Sequence, residues 1–303
     1  MLEVRCSTFI FSAKMPIPLS PQGFRLRAPA KVNLRLKVLW KRTDGFHEIE
    51  TVMQRIGLWD IIRIEPTVKG LEVRCPGFPD LEGEQNLIWQ AVRLLEEESK
   101  QRLSFRIYLK KRIPLGAGLG GGSSDAAAIL SGINDFLGGP VSAGRLTELA
   151  GDLGSDVPFF LTRQTSLARG RGEILEPLPD FPVWWYVLVY PGFPLATRWV
   201  YQEIKIPLTE KKQYINIESL KTGPIGSGTD FLENDLEKAV LAHYPLLSRI
   251  KEALLAQGSL GALMTGSGST VFGLWKEKRE AVKAFHHLKT GTWGKVFIAP
   301  GLP

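Results

Sequence analysis

The stretch from Pro114 to Asp125 limits what this chain can become. It reads Pro-Leu-Gly-Ala-Gly-Leu-Gly-Gly-Gly-Ser-Ser-Asp, with five glycines between Gly116 and Gly122. Ahead of it, Phe105, Ile107 and Leu109 alternate with other residues, the period of a strand over 104–110. Behind it, Ala126-Ala127-Ala128-Ile129-Leu130 opens a helix predicted over 124–137, stopped by Gly138-Gly139-Pro140. A backbone without Cβ atoms can turn its N–H groups toward a ligand. A helix N-terminus adds unpaired N–H groups and a partial positive charge. Strand, glycine loop and helix therefore make a cradle for an anion, most often phosphate.

Two familiar nucleotide motifs fail here. Gly116-Ala117-Gly118-Leu119-Gly120-Gly121 satisfies G-x-G-x-x-G as written, the dinucleotide fingerprint. That fingerprint needs a second parallel strand after the helix, with an acidic residue on it. The pattern after 124–137 is instead another helix, with Ser142 as N-cap and Leu146, Leu149, Ala150 and Leu153 on one face. A Walker A loop ends in Gly-Lys-Ser/Thr, whereas this one ends Gly-Gly-Ser-Ser. What remains is a phosphate cradle of a third kind.

The net charge of +7 suits an anionic ligand. Basic residues are scattered, with one small cluster at Lys110-Lys111-Arg112, and no nucleic-acid motif occurs, so small phosphates are favoured over a polymer. The two cysteines, Cys6 and Cys75, match no metal spacing and no disulfide framework, which points to a reducing cytoplasm. No apolar run reaches the roughly 18–20 residues of a membrane span; the longest, Val183 to Tyr190, suits a buried strand. Residues 1–20 read as a loose N-terminal extension, with Met15 as a second candidate start. Phe9-Ile10-Phe11 is too short for a signal-peptide core.

Elsewhere, strands are expected over 24–40, 51–65, 71–74, 183–190, 260–265, 271–275 and 295–299. Helices are expected over 86–98, 142–153, 229–241, 245–257 and 276–289, and a long loop over 205–228. Strands and helices mix without strict alternation. The expectation is α+β in two domains, 21–165 and 166–303.

Three segments together resemble the GHMP kinases, which phosphorylate small alcohols. They are Ala28-Pro29-Ala30-Lys31-Val32-Asn33-Leu34, the loop Pro114 to Asp125, and Thr265-Gly266-Ser267-Gly268-Ser269. Their order is the family's, and the resemblance covers nearly all of 24–300. It implies an N-terminal domain like domain 2 of ribosomal protein S5 and a ferredoxin-like C-terminal domain. Lys41 to Glu48 (Lys-Arg-Thr-Asp-Gly-Phe-His-Glu), Gly154 to Phe160 (Gly-Ser-Asp-Val-Pro-Phe-Phe) and Asn234 to Glu237 are similar to motifs of one branch. In that branch the acceptor is a polyol linked to cytidine diphosphate.

The resemblance implies roles for individual residues. ATP phosphates would lie on Pro114, Leu115, Gly116, Ala117, Gly118, Leu119, Gly120, Gly121, Gly122, Ser123 and Ser124. Asp156 would accept the proton of the acceptor hydroxyl, with Lys31 beside it. The acceptor would meet Asn33, Phe46, His47, Tyr201, Gly266, Ser267 and Gly268. Phe46 stands where the family carries tyrosine, and Met53 where some relatives carry another aromatic. ATP is the expected phosphoryl donor, with Mg²⁺ accompanying it and no dedicated protein cage of metal ligands. A mevalonate- or homoserine-like acceptor is the alternative. Neither nucleic acid nor membrane is expected as a partner.

Overall fold

The computed structural model describes residues 17–20, 23–178, 181–204 and 231–303. The loop expected over 205–228 lies outside them, as do residues 1–16 of the N-terminal extension. Ile17–Ser20 is a strand (β1) paired antiparallel with β2, so the end of the expected loose extension belongs to the sheet.

Two long strands form the spine. β2 (Gly23–Lys41) and β3 (His47–Pro66) pair antiparallel along nearly their whole length. Their alternating apolar residues face a core: Val32, Leu34, Ile62 and Ile64 have no solvent exposure. β5 (Phe105–Lys110) and β4 (Glu72–Arg74) extend the sheet in the order β1-β2-β3-β5-β4. Helices α1 (Leu87–Ser99), α2 (Gly121–Phe136) and α3 (Ala143–Leu153) contribute to one apolar cluster with this sheet. Asn86 caps α1 through its side chain, and Ser142 caps α3 as expected.

The sequence pattern missed a short helix, α4 (Val157–Thr162), and a hairpin, β6 (Ser166–Arg169) with β7 (Ile174–Pro177). β6 pairs with β3, so the first sheet takes in residues on both sides of position 165. A division after Pro177 follows the sheets more closely than the one expected at 165.

The second sheet has the order β10-β11-β8-β12 and is antiparallel throughout. Its strands are β8 (Trp185–Tyr190), β10 (Gly261–Met264), β11 (Val271–Trp275) and β12 (Lys295–Pro300). Between β8 and β10 lie α5 (Thr197–Glu203), α6 (Asp235–His243) and α7 (Pro245–Ala256); α8 (Lys278–Lys289) joins β11 to β12. That is the expected ferredoxin-like β-α-β-β-α-β pattern.

Two expected helices start elsewhere. The helix expected from 229 begins at Asp235, because Glu233–Asn234 forms a short strand (β9) parallel to β2 and Asn234 then caps α6. The helix expected from 124 begins at Gly121, because Gly120 adopts a left-handed φ of 67° and the glycines after it are already helical.

One apolar cluster joins the halves: Val32 and Leu34 of β2 share it with Leu188, Leu263 and Phe272 of the second sheet. Inside it the Tyr186 hydroxyl donates to Gln54 Oε1 at 2.5 Å, which satisfies a buried polar pair. This shared core sets the two sheets against each other and defines the cleft between them.

Candidate active site

A cleft of about 1300 Å³ opens where the halves meet. That is above the roughly 300–1,000 Å³ of a single small-molecule site, and it suits two ligands side by side. One wall is the glycine loop: residues Pro114 through Ser123 all line it. Ser124 does not line it and is buried at the start of α2. Since Gly120 caps α2 without a side-chain hydrogen bond, the first N–H groups of the helix are left for a ligand.

The loop is held from below by close backbone approach. At Gly118 the backbone has φ 76°, and a Cβ there would come within 2.1 Å of the Thr265 carbonyl oxygen. At Gly120 a Cβ would sit 3.0 Å from Lys31 Cγ and 3.0 Å from Phe160 Cζ. The Lys31 amide donates to Leu119 O at 3.0 Å, which ties β2 to the loop. The three segments that carry the family resemblance thus touch one another.

Lys31 stands at this junction with its side chain buried. Its Nζ donates to Asn33 Oδ1 at 2.5 Å and lies 3.4 Å from Asp156 Oδ2. Asn33 alternates onto the same side of β2, as the strand period requires. Its Nδ2 donates to Thr51 Oγ1 at 2.8 Å, and its amide donates to Thr265 Oγ1 at 3.0 Å. Asp156 occupies the N-cap position of α4, but its side chain makes no capping bond. The carboxylate instead faces the cleft and Lys31.

Aromatic side chains gather in the remaining part of the cleft. His47, at the start of β3, stacks on Tyr201 of α5 with ring centroids 5.2 Å apart and planes 22° apart. Burial, with the Lys41 charge, lowers the His47 pKa, so the ring is neutral near pH 7. Burial also raises the Tyr201 pKa, which keeps its hydroxyl protonated. Phe46 is 53% exposed at the mouth. Met53 has no exposure and belongs to the first core, so it fills space beneath β3 and forms no part of the cleft wall.

Gly266 and Ser267 line the cleft, while Gly268 lies behind it against Gly118. Asn234 secures this turn by donating to Met264 O at 2.7 Å and Gly266 O at 2.9 Å.

Behind the loop is a buried ionic cluster that sequence reasoning missed. Lys111 Nζ donates to Asp60 Oδ2 at 2.5 Å and Asp125 Oδ2 at 2.8 Å. Burial pushes the Asp125 carboxyl up to about 7, with Lys111 opposing and Asp60 reinforcing the shift. Among the described residues Asp125 Oδ1 and Ser124 Oγ have no hydrogen-bond partner. Lys111 had a signal in its basic cluster. Arg171, whose guanidinium lies 5.0 Å over the Phe46 ring, had none, because the hairpin that presents it was not read.

Residues 86–164 match the GHMP kinases N terminal domain and residues 218–291 the GHMP kinases C terminal domain. The chain belongs to the GHMP kinase family. Within the family it is similar to proteins named 4-diphosphocytidyl-2-C-methyl-D-erythritol kinase. One from a Geobacter species is 44% identical, the match covering 89% of this chain and 96% of the relative. One from Syntrophus aciditrophicus is 39% identical, with 89% and 96% covered. A crystal structure of 4-(cytidine 5'-diphospho)-2C-methyl-D-erythritol kinase superposes with a TM-score of 0.81 at 36% identity, covering 92% of this chain and 100% of that one. The homoserine kinase from Cytophaga hutchinsonii shares the fold, with a TM-score of 0.69 at 20% identity, 94% of this chain and 98% of that one being covered.

Proposed function

We infer that the protein transfers the γ-phosphoryl group of ATP to the 2-hydroxyl of 4-diphosphocytidyl-2-C-methyl-D-erythritol, giving the 2-phosphate and ADP. This is a step of the non-mevalonate route to isoprenoid precursors. The observation that carries the reading is the Lys31–Asp156 pair, 3.4 Å apart between a glycine-loop wall and an aromatic wall of one cleft. The similarity to kinases of that name over most of their length selects the acceptor.

ATP phosphates rest on the backbone of residues 114–124 and the first turn of α2. The cytosine end of the acceptor lies against Phe46, His47 and Tyr201. Asp156 accepts the hydroxyl proton as the new O–P bond forms and the bond to ADP breaks. The Lys31 cation favours ionised Asp156 and stabilises negative charge growing on the acceptor oxygen. Asn33, held by Thr51 and Thr265, fixes the position of the Lys31 ammonium. Gly266 and Ser267 close the acceptor side.

Mg²⁺ would neutralise charge on the ATP phosphates. Among the described residues no group of three or more His, Cys, Asp or Glu side chains could hold a metal ion. Ser123, which lines the cleft, fits a cation that takes its other ligands from phosphates and water, whereas Ser124 is buried away from the cleft. Among the described residues no helix is long and apolar enough to cross a membrane.

ATP consumption assayed against the CDP-methylerythritol acceptor, mevalonate and homoserine tests the reading. Turnover is expected with the first alone. Turnover only with mevalonate or homoserine would replace the acceptor.

A further inference from the structure

We propose that Arg171 is a specificity residue that reads the acceptor's diphosphate, so that the enzyme distinguishes a cytidine diphosphate ester from a bare nucleoside. The proposal rests on the acceptor reading.

Chemically, the diphosphate lies between the cytosine nucleoside and the polyol hydroxyl. The cleft holds groups suited to both ends. The stacked His47 and Tyr201 rings mark the base end, and Lys31 with Asp156 marks the reacting end. Arg171 lines the same cleft. Its guanidinium lies 5.0 Å over the ring of Phe46, the neighbour of His47. At the next residue, a Cβ placed on Gly172 would be 3.7 Å from Asp156 Oδ1. The Arg171 guanidinium therefore stands at the base end, and the backbone that follows it runs next to the reacting end.

The hairpin that carries Arg171 is fixed, so the charge is presented in one place. Gly170 N donates to Glu48 Oε1 at 2.9 Å, and the Ile49 amide donates to Gly170 O at 2.8 Å. Glu173 accepts the Arg171 backbone amide at 2.6 Å. The same carboxylate is 3.8 Å from Arg171 Nε, too long for a hydrogen bond, so the side-chain donors are not saturated by it. A guanidinium stacked on an aromatic face keeps its edge N–H groups for a ligand, and their fork matches phosphate oxygens. A planar cation held over the ring is oriented before the ligand arrives, which lowers the ordering cost of binding.

The test compares cytidine with CDP as ligands of the intact enzyme, by calorimetry, in the wild type, Arg171→Ala, Arg171→Lys and Lys41→Ala. Lys41, one of several other cations that line the same cleft, serves as a rival. In the wild type CDP should bind more tightly than cytidine. Arg171→Ala should shrink that ratio by about 10- to 100-fold while leaving cytidine affinity and the ATP KM unchanged. Arg171→Lys should restore part of it. An equal weakening of cytidine and CDP in Arg171→Ala would show a structural role and overturn the proposal. So would an unchanged ratio, or a loss that appears in Lys41→Ala instead. A wild type that binds neither ligand and does not turn over the CDP-polyol removes the acceptor reading, and the proposal with it. A wild type that binds both leaves the acceptor reading standing, so that the variants decide the role of Arg171 alone.

Discussion

The Lys31 ammonium lies 3.4 Å from the Asp156 carboxylate, although one side chain comes from the middle of β2 and the other from the turn before α4. A charged lysine this deeply buried needs an anionic or strongly accepting partner, and here it has both Asp156 and Asn33. Asp156→Asn keeps the shape and removes the proposed base. Steady-state kinetics should show kcat lower by about 10²- to 10⁴-fold with the ATP KM nearly unchanged. Wild-type turnover in this variant would remove Asp156 from the reaction.

Glycine is required at Gly118 for two separate reasons, its φ of 76° and a Cβ contact of 2.1 Å with Thr265 O. Gly118→Ala should cost about 1–3 kcal/mol from the backbone conformation, with the clash added, and should raise the ATP KM. Gly122 is helical, and a Cβ there meets nothing closer than Leu87 Cδ1 at 3.9 Å. Gly122→Ala should therefore stabilise by about 0.4–1 kcal/mol. Thermal unfolding of the two variants checks the contrast.

Tyr201→Ala removes a ring that would stack on the base. At about 1–3 kcal/mol per stacked base, acceptor affinity should fall roughly 5- to 150-fold, with the ATP KM unaffected. Tyr201→Phe keeps the ring and should stay close to wild type. Equal acceptor KM values in all three proteins would move the base elsewhere.

Asp125 gives a pH signature in stability. Burial holds its folded pKa at about 7, above the ordinary carboxylate value of 3.8. Between those two values the folded protein keeps a proton that the unfolded chain has lost, so this group makes stability fall as pH rises from about 4 to about 7. Asp125→Asn cannot titrate. Urea unfolding at several pH values should show the variant gaining on the wild type as pH rises through that window. A constant difference between the two would contradict the assignment.

Much of the site was legible before any fold was known. The glycine loop announced itself through composition and its flanking periodicities, and Lys31 and Asn33 shared a face because strand side chains alternate. By residue type Asp156 also suits a helix cap, and its missing capping bond and its approach to Lys31 speak against that role. Arg171 and Thr51 gave no local signal. Their importance lies in β3 pairing with both β2 and β6, and pairing partners far apart in sequence leave no short-range pattern.

The amino-acid order alone therefore determined the local pieces: a strand, a glycine turn that can bend only because it lacks Cβ atoms, and a helix with bare N–H groups. Its motifs also carried the family. Tertiary structure decided how the pieces meet. The core shared by the two sheets holds Thr265 against Gly118 and Asn33, and the hairpin docked on β3 brings Gly172 up to Asp156. Those contacts depend on long-range packing and burial, which is why a cradle for phosphate could be read from the sequence but the cleft that faces it could not.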